Sequence, residues 1–404
     1  MQLLKVAVAG AVVLAVARPA AAQLQPVTRA EAVARAVARG PRLAIARADS
    51  SAARAQLSLA RQFENPLFSY SYTKDVPQNH LLLDVPLDLP WLRSARVGSA
   101  QAGLGAATYR FAFLREEVVF DADTTYTRAL ASAARARLSM RTALDADSLL
   151  ILARVRRDAG DASELDVQLA SVNAGQLANA AAIDSLDAIS DLLNVQSLMG
   201  QSADAPTIVL ADSLALEAAG GTPSVGTPLL IAAAEEDARA AELALTLERR
   251  RLFPAASLSI GYDQGDPSGA TSGTLPTIGL ALPLPLFNQN SAAVQLAQAQ
   301  RDKARAELSL ARIEVTQALA RALRSSVVAL QRASRSGRLL TAANQVATLS
   351  LLAYREGAQA LPSVLEAQRT ARESQAQYVE DMAAARNSAA LVHLLTLTAN
   401  RTDK

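Results

Sequence analysis

The sequence contains no cysteine among its 404 residues. This absence excludes disulfides, thiolate metal sites, cysteine nucleophiles and a lipid anchor attached through an N-terminal cysteine. Aromatic residues make up only 4% of the chain, although large globular cores depend on large side chains. An alanine-rich chain with few aromatics is typical of long helices that pack closely along seams of small residues.

An excess of charge of one sign is also missing. The 40 lysines and arginines and the 38 aspartates and glutamates give a net charge of +2, so there is no electrostatic reason to expect a nucleic-acid partner. The two histidines, His80 and His393, are far apart, and no residues have the spacing of metal ligands. No nucleophile–base constellation or glycine-rich phosphate loop is present. The sequence therefore predicts no cofactor, no metal site and no enzymatic activity.

Long hydrophobic runs are absent too. No uninterrupted apolar run reaches the about 20 residues that a membrane-spanning helix needs. Near the N-terminus, Lys5 precedes a short apolar stretch at residues 6–17, and Ala20-Ala21-Ala22 offers a cleavage site. These features predict a signal peptide over residues 1–22 and a mature chain that begins at Gln23. The alternative is a membrane anchor, which the shortness of the run disfavours.

The sequence does contain an internal duplication. Residues 160–170 and 357–367 share glycine, valine and alanine at an offset of 197 positions, and the same offset joins Pro86-Leu87-Asp88-Leu89 to Pro283-Leu284-Pro285-Leu286. Solenoid repeats are far shorter, at about 20–50 residues. We therefore expect two quasi-equivalent units, at residues 23–200 and 228–400, joined at 201–227 by a linker or a small equatorial segment.

Each unit begins with a helix and continues with a β-hairpin. The first helix opens at Thr28 with Glu31 three residues later, which predicts a capping box, and continues past Gly40-Pro41. The second starts near Pro228. In each hairpin, two strands lie on either side of a turn-rich stretch, and in each strand apolar residues alternate with small or polar ones. The predicted strands are residues 68–72 and 81–88 in the first unit and residues 257–262 and 277–282 in the second.

This alternation is typical of strands with lipid on one side and water on the other. A β-structure in a membrane must close to satisfy its backbone, and four strands cannot enclose a pore. A barrel to which three chains contribute four strands each would have about twelve strands, which is within the range of known barrels. The alternative is a pair of amphipathic hairpins on a soluble sheet, although isolated hairpins are not stable alone.

A long proline-free stretch follows each hairpin, at about residues 94–158 and 291–356. As a helix, each would reach about 95 Å at ~1.5 Å per residue. The spacing of Leu319, Leu323, Val327 and Leu330 predicts a coiled-coil seam. Gly160 and Gly357 then break the helices and return helices follow, so each unit ends in a long helical hairpin with a tight tip.

The ordered combination resembles the TolC-like outer-membrane factors of tripartite efflux systems, over nearly all of the mature chain. The elements that carry the resemblance occur in both halves: a helix at Pro41 or Pro228, a hairpin after Pro66 or Pro254, Pro-Leu-x-Leu leading into a long helix, and a return at a glycine tip. The modest length and short loops resemble those of the cobalt-zinc-cadmium type.

The resemblance implies an α+β membrane protein that forms a homotrimer. Its parts would be a long α-helical periplasmic barrel and a shared 12-stranded β-barrel, four strands per chain, in the lipid of the cell outer membrane. The function would be that of a passive exit duct for drugs or metal cations. A periplasmic adaptor (membrane fusion) protein and an inner-membrane pump of the proton-driven RND or ATP-driven ABC type would dock at the helical tips, at the turns of Gly160, Asp161, Gly357 and Ala358.

The resemblance also implies a constriction near the second tip. It places Ser363 and Glu366 where the family often carries acidic rings. In a trimer, Glu366 would contribute three carboxylates on one axis and select cations. Ser363 departs from the double-acid pattern. The alternative is that Glu366 is a solvated residue on a helix face.

Three further residues match a latch that holds the closed state in the family. Tyr354 matches its tyrosine and Asp166 the acidic partner of that tyrosine. Gln359 stands where the family has a basic residue, so the latch would depend on weaker neutral hydrogen bonds. Asp166 is alternatively a solvated helix residue. The basic run at Arg154, Arg156 and Arg157 is typical of a solvated face or, near a tip, of an adaptor contact.

A different class of protein also fits part of the pattern. A coiled-coil structural protein of the cell envelope, without a pore, would explain the long helices. It would not explain the duplicated alternation in the strands, so the duct is the favoured interpretation.

Overall fold

The computed structural model describes residues 25–75, 77–215, 226–251, 256–265, 275–282 and 284–399. The predicted signal peptide lies outside these residues. The described chain consists of two long helical hairpins, three shorter helices, a four-stranded sheet and a pair of very short strands. Among the described residues, no helix combines the length and the apolar character needed to cross a membrane.

The first half of the chain contains seven elements. They are β1 (Gln25–Val27), α1 (Arg29–Arg39), α2 (Pro41–Arg61), β2 (Leu67–Tyr72), β3 (Asn79–Pro86), α3 (Pro90–Asp158) and α4 (Glu164–Leu198).

The second half repeats most of this order. Its elements are β4 (Ile208–Leu210), α5 (Leu229–Arg250), β5 (Ser257–Gln264), β6 (Leu275–Ala281), α6 (Ser291–Arg355) and α7 (Leu361–Thr396). In both halves, a helix leads to a β-hairpin and then to a long helix with a shorter return helix.

The start of α1 follows the sequence pattern. Thr28 Oγ1 accepts a hydrogen bond from the Glu31 amide, and the Glu31 carboxylate accepts one from the Thr28 amide at 3.0 Å, which completes the predicted capping box.

The expectation that this helix continues past Gly40-Pro41 is wrong. Gly40 is extended, with φ −63° and ψ 127°, because a proline ring disfavours the helical conformation in the residue before it. Pro41 instead begins α2.

The described start of the segment between the two halves, residues 201–215, contains a short strand, β4, which together with its partner β1 is called the equatorial element below. Strand β4 pairs in parallel with β1, at the start of the chain's described part. Val27 and Ile208 from these strands are buried against Tyr126 of α3 and Met199, which follows α4. The described start of this segment is therefore packed against the first half of the chain.

The four-stranded sheet joins the two hairpins in the order β2-β3-β5-β6, with every pair antiparallel. Directly opposed residues share a face of a sheet. The register gives one face that is apolar, formed by Phe68, Tyr70, Leu81, Leu83, Leu258, Ile260, Ile278 and Leu280. The other face is mostly small or polar, with Ser69, His80, Asp84, Ser259, Gly261, Asp263 and Thr277.

Both edges of this sheet are open. Strand β2 pairs only with β3, and β6 pairs only with β5, among the residues that the structure describes. Every residue of β2 is exposed. The sheet therefore ends in unpaired backbone groups on both sides, which is a template for pairing with another chain.

The long helices pack through small side chains. In α6, the buried residues Ala333 and Ser336 face α7. Leu323, Val327 and Leu330 of the predicted coiled-coil seam are exposed, so this row of residues is not covered within the chain. The close approach of the helices favours alanine at the inner positions, and the larger residues are left on an uncovered face.

Candidate functional site

The two hairpin tips have the same backbone turn. Gly160 has φ 87° and Gly357 has φ 77°, in the left-handed region that favours glycine. The amide after each glycine then bonds back to the carbonyl five residues earlier, Asp161 to Arg156 at 2.8 Å and Ala358 to Ala353 at 2.8 Å. This is a Schellman turn, which ends a helix by satisfying its last carbonyl groups. The duplicated glycines therefore have the same structural role.

Asp166 is a capping residue at the first tip. Its carboxylate accepts hydrogen bonds from the Ser163 amide and hydroxyl, both at 3.0 Å, and its own amide donates to Ser163 Oγ at 3.2 Å. This capping box starts α4. The carboxylate lies near enough to Tyr354 to favour the neutral phenol, but makes no hydrogen bond to it.

Tyr354 lies at the centre of the contact between the two tips. Its ring is 3% exposed and packs with Ala153 of α3, Val167 of α4 and Val364 of α7. Burial is the main cause that raises the pKa of the phenol above its ordinary value. The hydroxyl oxygen is buried and has no hydrogen-bond partner among the described residues. Tyr354 therefore holds the tips through its ring and its backbone.

The partner of Tyr354 is Arg156, at the end of α3. The guanidinium lies over the Tyr354 ring, 4.6 Å from its centroid. Its Nη1 donates to the Tyr354 carbonyl at 2.6 Å, and its Nη2 donates to the Asp161 carbonyl at 3.4 Å. Sequence analysis placed Arg156 only within a basic run. The position of that run in the last turn of a helix was the available signal, because cations favour helix C-termini.

The remaining predicted residues lie around the second tip. Ser363 and Glu366 are exposed on the first turns of α7, and Gln359 is half-buried and makes no side-chain hydrogen bond within the described residues. Glu366 lines a groove of about 610 Å³ between α3, α4 and α7. Arg369, Arg372 and Glu373 line the same groove, so the surroundings of Glu366 carry both signs of charge.

Two equivalent side-chain pairs join the long helices above the tips. Ser139 of α3 donates to the carboxylate of Asp184 of α4. Ser336 of α6 donates to Asp381 of α7, and each residue stands 197 positions after its counterpart. Applying the offset found at the glycine tips to the whole chain would have revealed these pairs, which sequence analysis missed.

A polar network holds the equatorial element against α3. The Tyr126 hydroxyl has one proton to donate, and two acceptors lie within reach of it, the Val27 carbonyl at 2.8 Å and the Asp212 carboxylate at 3.0 Å. Burial, followed by the hydrogen bond with Asp212, raises the pKa of Tyr126 to about 12. Arg29 bonds to Asp123 and stacks on the Tyr126 ring, 5.0 Å from its centroid. These contacts fix the start of the first unit to the segment between the units.

The polar face of the sheet has its own hydrogen bonds between strands. Asp84 accepts from Ser259, and His80 Nδ1 lies 2.8 Å from an Asp263 carboxylate oxygen. His80 also lies beside the loop after β2, with its Nε2 at 3.2 Å from Thr73 Oγ1. Within the described part of the chain, no three histidines, aspartates or glutamates are grouped as metal ligands.

Comparison with known proteins identifies the second half of the chain. Residues 229–397, from α5 to the end of α7, match the family described as "Outer membrane efflux protein". The matched segment, from α5 to α7, therefore resembles an outer membrane efflux protein domain. The resemblance to TolC-like outer-membrane factors that the sequence predicts is thereby confirmed.

Two curated proteins are similar to this chain over most of its length. The nickel-cobalt-cadmium resistance protein NccC of Alcaligenes xylosoxydans xylosoxydans is 28% identical over 68% of this chain. The match spans 66% of NccC, slightly less than two thirds of its length. The cobalt-zinc-cadmium resistance protein CzcC of Cupriavidus metallidurans is 27% identical, over 74% of this chain and 72% of its own.

The fold is shared with solved outer-membrane channels. The Campylobacter jejuni CmeC outer membrane channel superposes with a TM-score of 0.78, covering 91% of this chain and 85% of its own, at 16% sequence identity. The likeness at this identity concerns the fold. The helical hairpins and the β-hairpins described above therefore have the same fold as those of that channel.

Proposed function

We propose that the protein is the outer-membrane exit duct of a tripartite efflux system and conducts its substrates passively. The observation that carries the proposal is the four-stranded sheet, which is apolar on one face and polar on the other and is open at both edges. A β-structure in lipid must close. Three copies would pair β2 of one chain with β6 of the next and close a barrel of about twelve strands.

The helices support the same assembly. Large apolar side chains are exposed along α6, among them Leu323, Val327, Leu339, Val346 and Leu349. Exposed apolar rows of this extent mark interaction surfaces. A neighbouring chain would cover them in a trimer, so the predicted seam would be formed between chains. In this arrangement, residues 23–200 and 228–400 are two repeats of one unit, and the helical hairpins form a periplasmic tunnel.

The tips are the proposed place of gating and docking. The turns of Gly160, Asp161, Gly357 and Ala358 would face the inner membrane, where an adaptor protein and a proton-driven or ATP-driven pump dock. Glu366 is exposed on α7 beside this end and would form the constriction, with Ser363 one turn away. Three carboxylates around an axis favour cations. In this proposal, Tyr354, Asp166 and Gln359 help to hold the tips closed.

We propose divalent metal cations as the substrate class. The support comes from the two curated relatives, whose names assign resistance to nickel, cobalt, zinc and cadmium. A drug-exporting role is the competing substrate class.

Fractionation and tolerance assays test the proposal together. The protein should appear in the outer-membrane fraction as a trimer that converts to monomer on heating. Deleting the gene should increase the sensitivity of its host to nickel, cobalt or cadmium, and a plasmid copy should restore tolerance. A protein found only in the soluble periplasmic fraction would refute the duct and favour the coiled-coil structural protein. Sensitivity to hydrophobic drugs alone would refute the metal assignment but not the duct.

A further inference from the structure

We propose that Arg156 is the residue that clasps the two hairpin tips of one chain together, and that this clasp must open for the tips to part. The effect of the clasp on conduction rests on the proposed function, but the contacts that form the clasp lie within one chain. The guanidinium contacts the Tyr354 ring at 4.6 Å, the Tyr354 carbonyl at 2.6 Å and the Asp161 carbonyl at 3.4 Å. Arg156 thus joins the turn that ends α3 to the turn that ends α6.

Electrostatics explain why a cation belongs at this point. Both α3 and α6 have their C-termini at the tips, where carbonyl groups give each helix end a partial negative charge. The guanidinium lies between the two ends and donates to a carbonyl at each. A planar guanidinium can also stack on an aromatic ring while it donates in its own plane, which a lysine cannot do. Loss of Arg156 would leave the two negative helix ends facing each other.

The clasp is present once per chain although the tips are duplicated. The position 197 residues after Arg156 is Ala353, and the position 197 residues before Tyr354 is Arg157. The reciprocal contact, from residue 353 of the second half to residue 157 of the first, therefore cannot form.

The neighbouring Arg157 provides a matched control. It bonds to Asp158 at 2.7 Å and to Glu164 at 3.0 Å, both within its own tip. Arg156→Gln and Arg157→Gln change the charge of the same helix end by the same amount. Only the first of them removes a contact between the tips.

Single-channel recordings of the full-length trimer in planar bilayers test the clasp. Arg156→Gln should increase the open probability roughly tenfold, as expected for the loss of a stacked and hydrogen-bonded cation. Tyr354→Leu should have a similar effect, and the double variant should add little to either single variant. Tyr354→Phe should behave like the wild type, because its ring and carbonyl remain. Arg157→Gln should also leave the open probability unchanged.

Hydrogen–deuterium exchange gives a readout that does not depend on conduction. Arg156→Gln should accelerate exchange of the amides of residues 353–361, in the other hairpin, whereas Arg157→Gln should affect only its own tip. Equal exchange and equal open probability in the two variants would overturn the clasp. A different outcome would separate the two proposals. If Arg156→Gln accelerates exchange at the second tip but neither the wild type nor any variant conducts ions, the clasp is supported and the proposed duct is refuted.

Discussion

Ser336 on α6 donates its hydroxyl to the carboxylate of Asp381 on α7, and both residues are buried between the helices. Ser139 and Asp184 make the same contact between α3 and α4, 197 positions earlier. The surroundings differ. Asp381 also binds Arg332 at 2.6 Å and Gln377 at 2.9 Å, whereas Asp184 is partly exposed to water. The same serine–aspartate hydrogen bond therefore occurs twice in the chain, once with a buried aspartate and once with a partly exposed one.

This difference predicts unequal costs for one substitution. Asp381→Ala should destabilise the protein by about 2–4 kcal/mol, because it removes the buried carboxylate that Arg332 and the amide of Gln377 bind. Asp184→Ala should cost about 1 kcal/mol, because water can replace the carboxylate. Thermal denaturation of the detergent-solubilised protein measures both. Equal shifts of the melting temperature would contradict the assigned environments.

The equatorial network predicts a loss of stability at alkaline pH. Tyr126 must remain protonated to donate to Val27 or Asp212, and its pKa is raised to about 12 from 10.0. Because the folded pKa lies above the unfolded one, this contribution is fully present below about pH 10 and is lost as the pH rises through about 12.

Tyr126→Phe separates this effect from general alkaline unfolding. The variant should lose about 1–2 kcal/mol at neutral pH, since a buried hydroxyl with two acceptors is removed. Its stability should then fall less steeply than that of the wild type between pH 10 and pH 12. Melting temperatures recorded across this range provide the comparison. Parallel pH profiles would show that Tyr126 does not carry the dependence.

Two adjacent residues of β5 test which face of the sheet meets lipid. Ile260 lies on the apolar face and Ser259 on the polar face, opposite Asp84. Ile260→Arg should destabilise the membrane-inserted protein by about 2–4 kcal/mol, because the charge would enter the hydrocarbon. Ser259→Arg should be tolerated and should change ion selectivity. Refolding into lipid vesicles and reversal potentials measure the two effects, and a reversed order of tolerance would place lipid on the other face.

The proposed constriction predicts a specific change in block by cations. Glu366→Gln should weaken block of the channel by multivalent cations severalfold, because it removes three carboxylates from one ring of the trimer. Glu373→Gln is the matched control, since Glu373 lies two turns along the same helix and is paired with Arg369 at 2.9 Å. Block measured as conductance against cation concentration distinguishes them. If the two variants respond alike, Glu366 does not line the constriction.

The sequence predicted the elements that have a period or a local signal. The alternation of β3 and β5, the capping box of Thr28 and Glu31, and the glycine tips depend on residues close together in the chain. The β1–β4 pair could not be predicted, because strands of three residues show no period and their partners are far apart in sequence.

The partner of the apolar seam and the contact of Arg156 could not be predicted for related reasons. An apolar row marks a surface that needs a partner, but not which helix covers it. The exposed Leu323 and Val327 are therefore consistent with the pattern, which does not specify their partner. The contact between Arg156 and Tyr354 joins residues 198 positions apart, and no local pattern specifies it.

An electron cryo-microscopy reconstruction of the full-length protein, purified from the outer membrane, tests the central claim most directly. The account predicts three chains around one axis, with Tyr70 of β2 and Ile278 of β6 on the lipid face of a closed barrel of about twelve strands. Strand β2 of each chain should pair with β6 of the next. A particle in which these two edges remain unpaired, or in which the chains meet only through their helices, would contradict the duct.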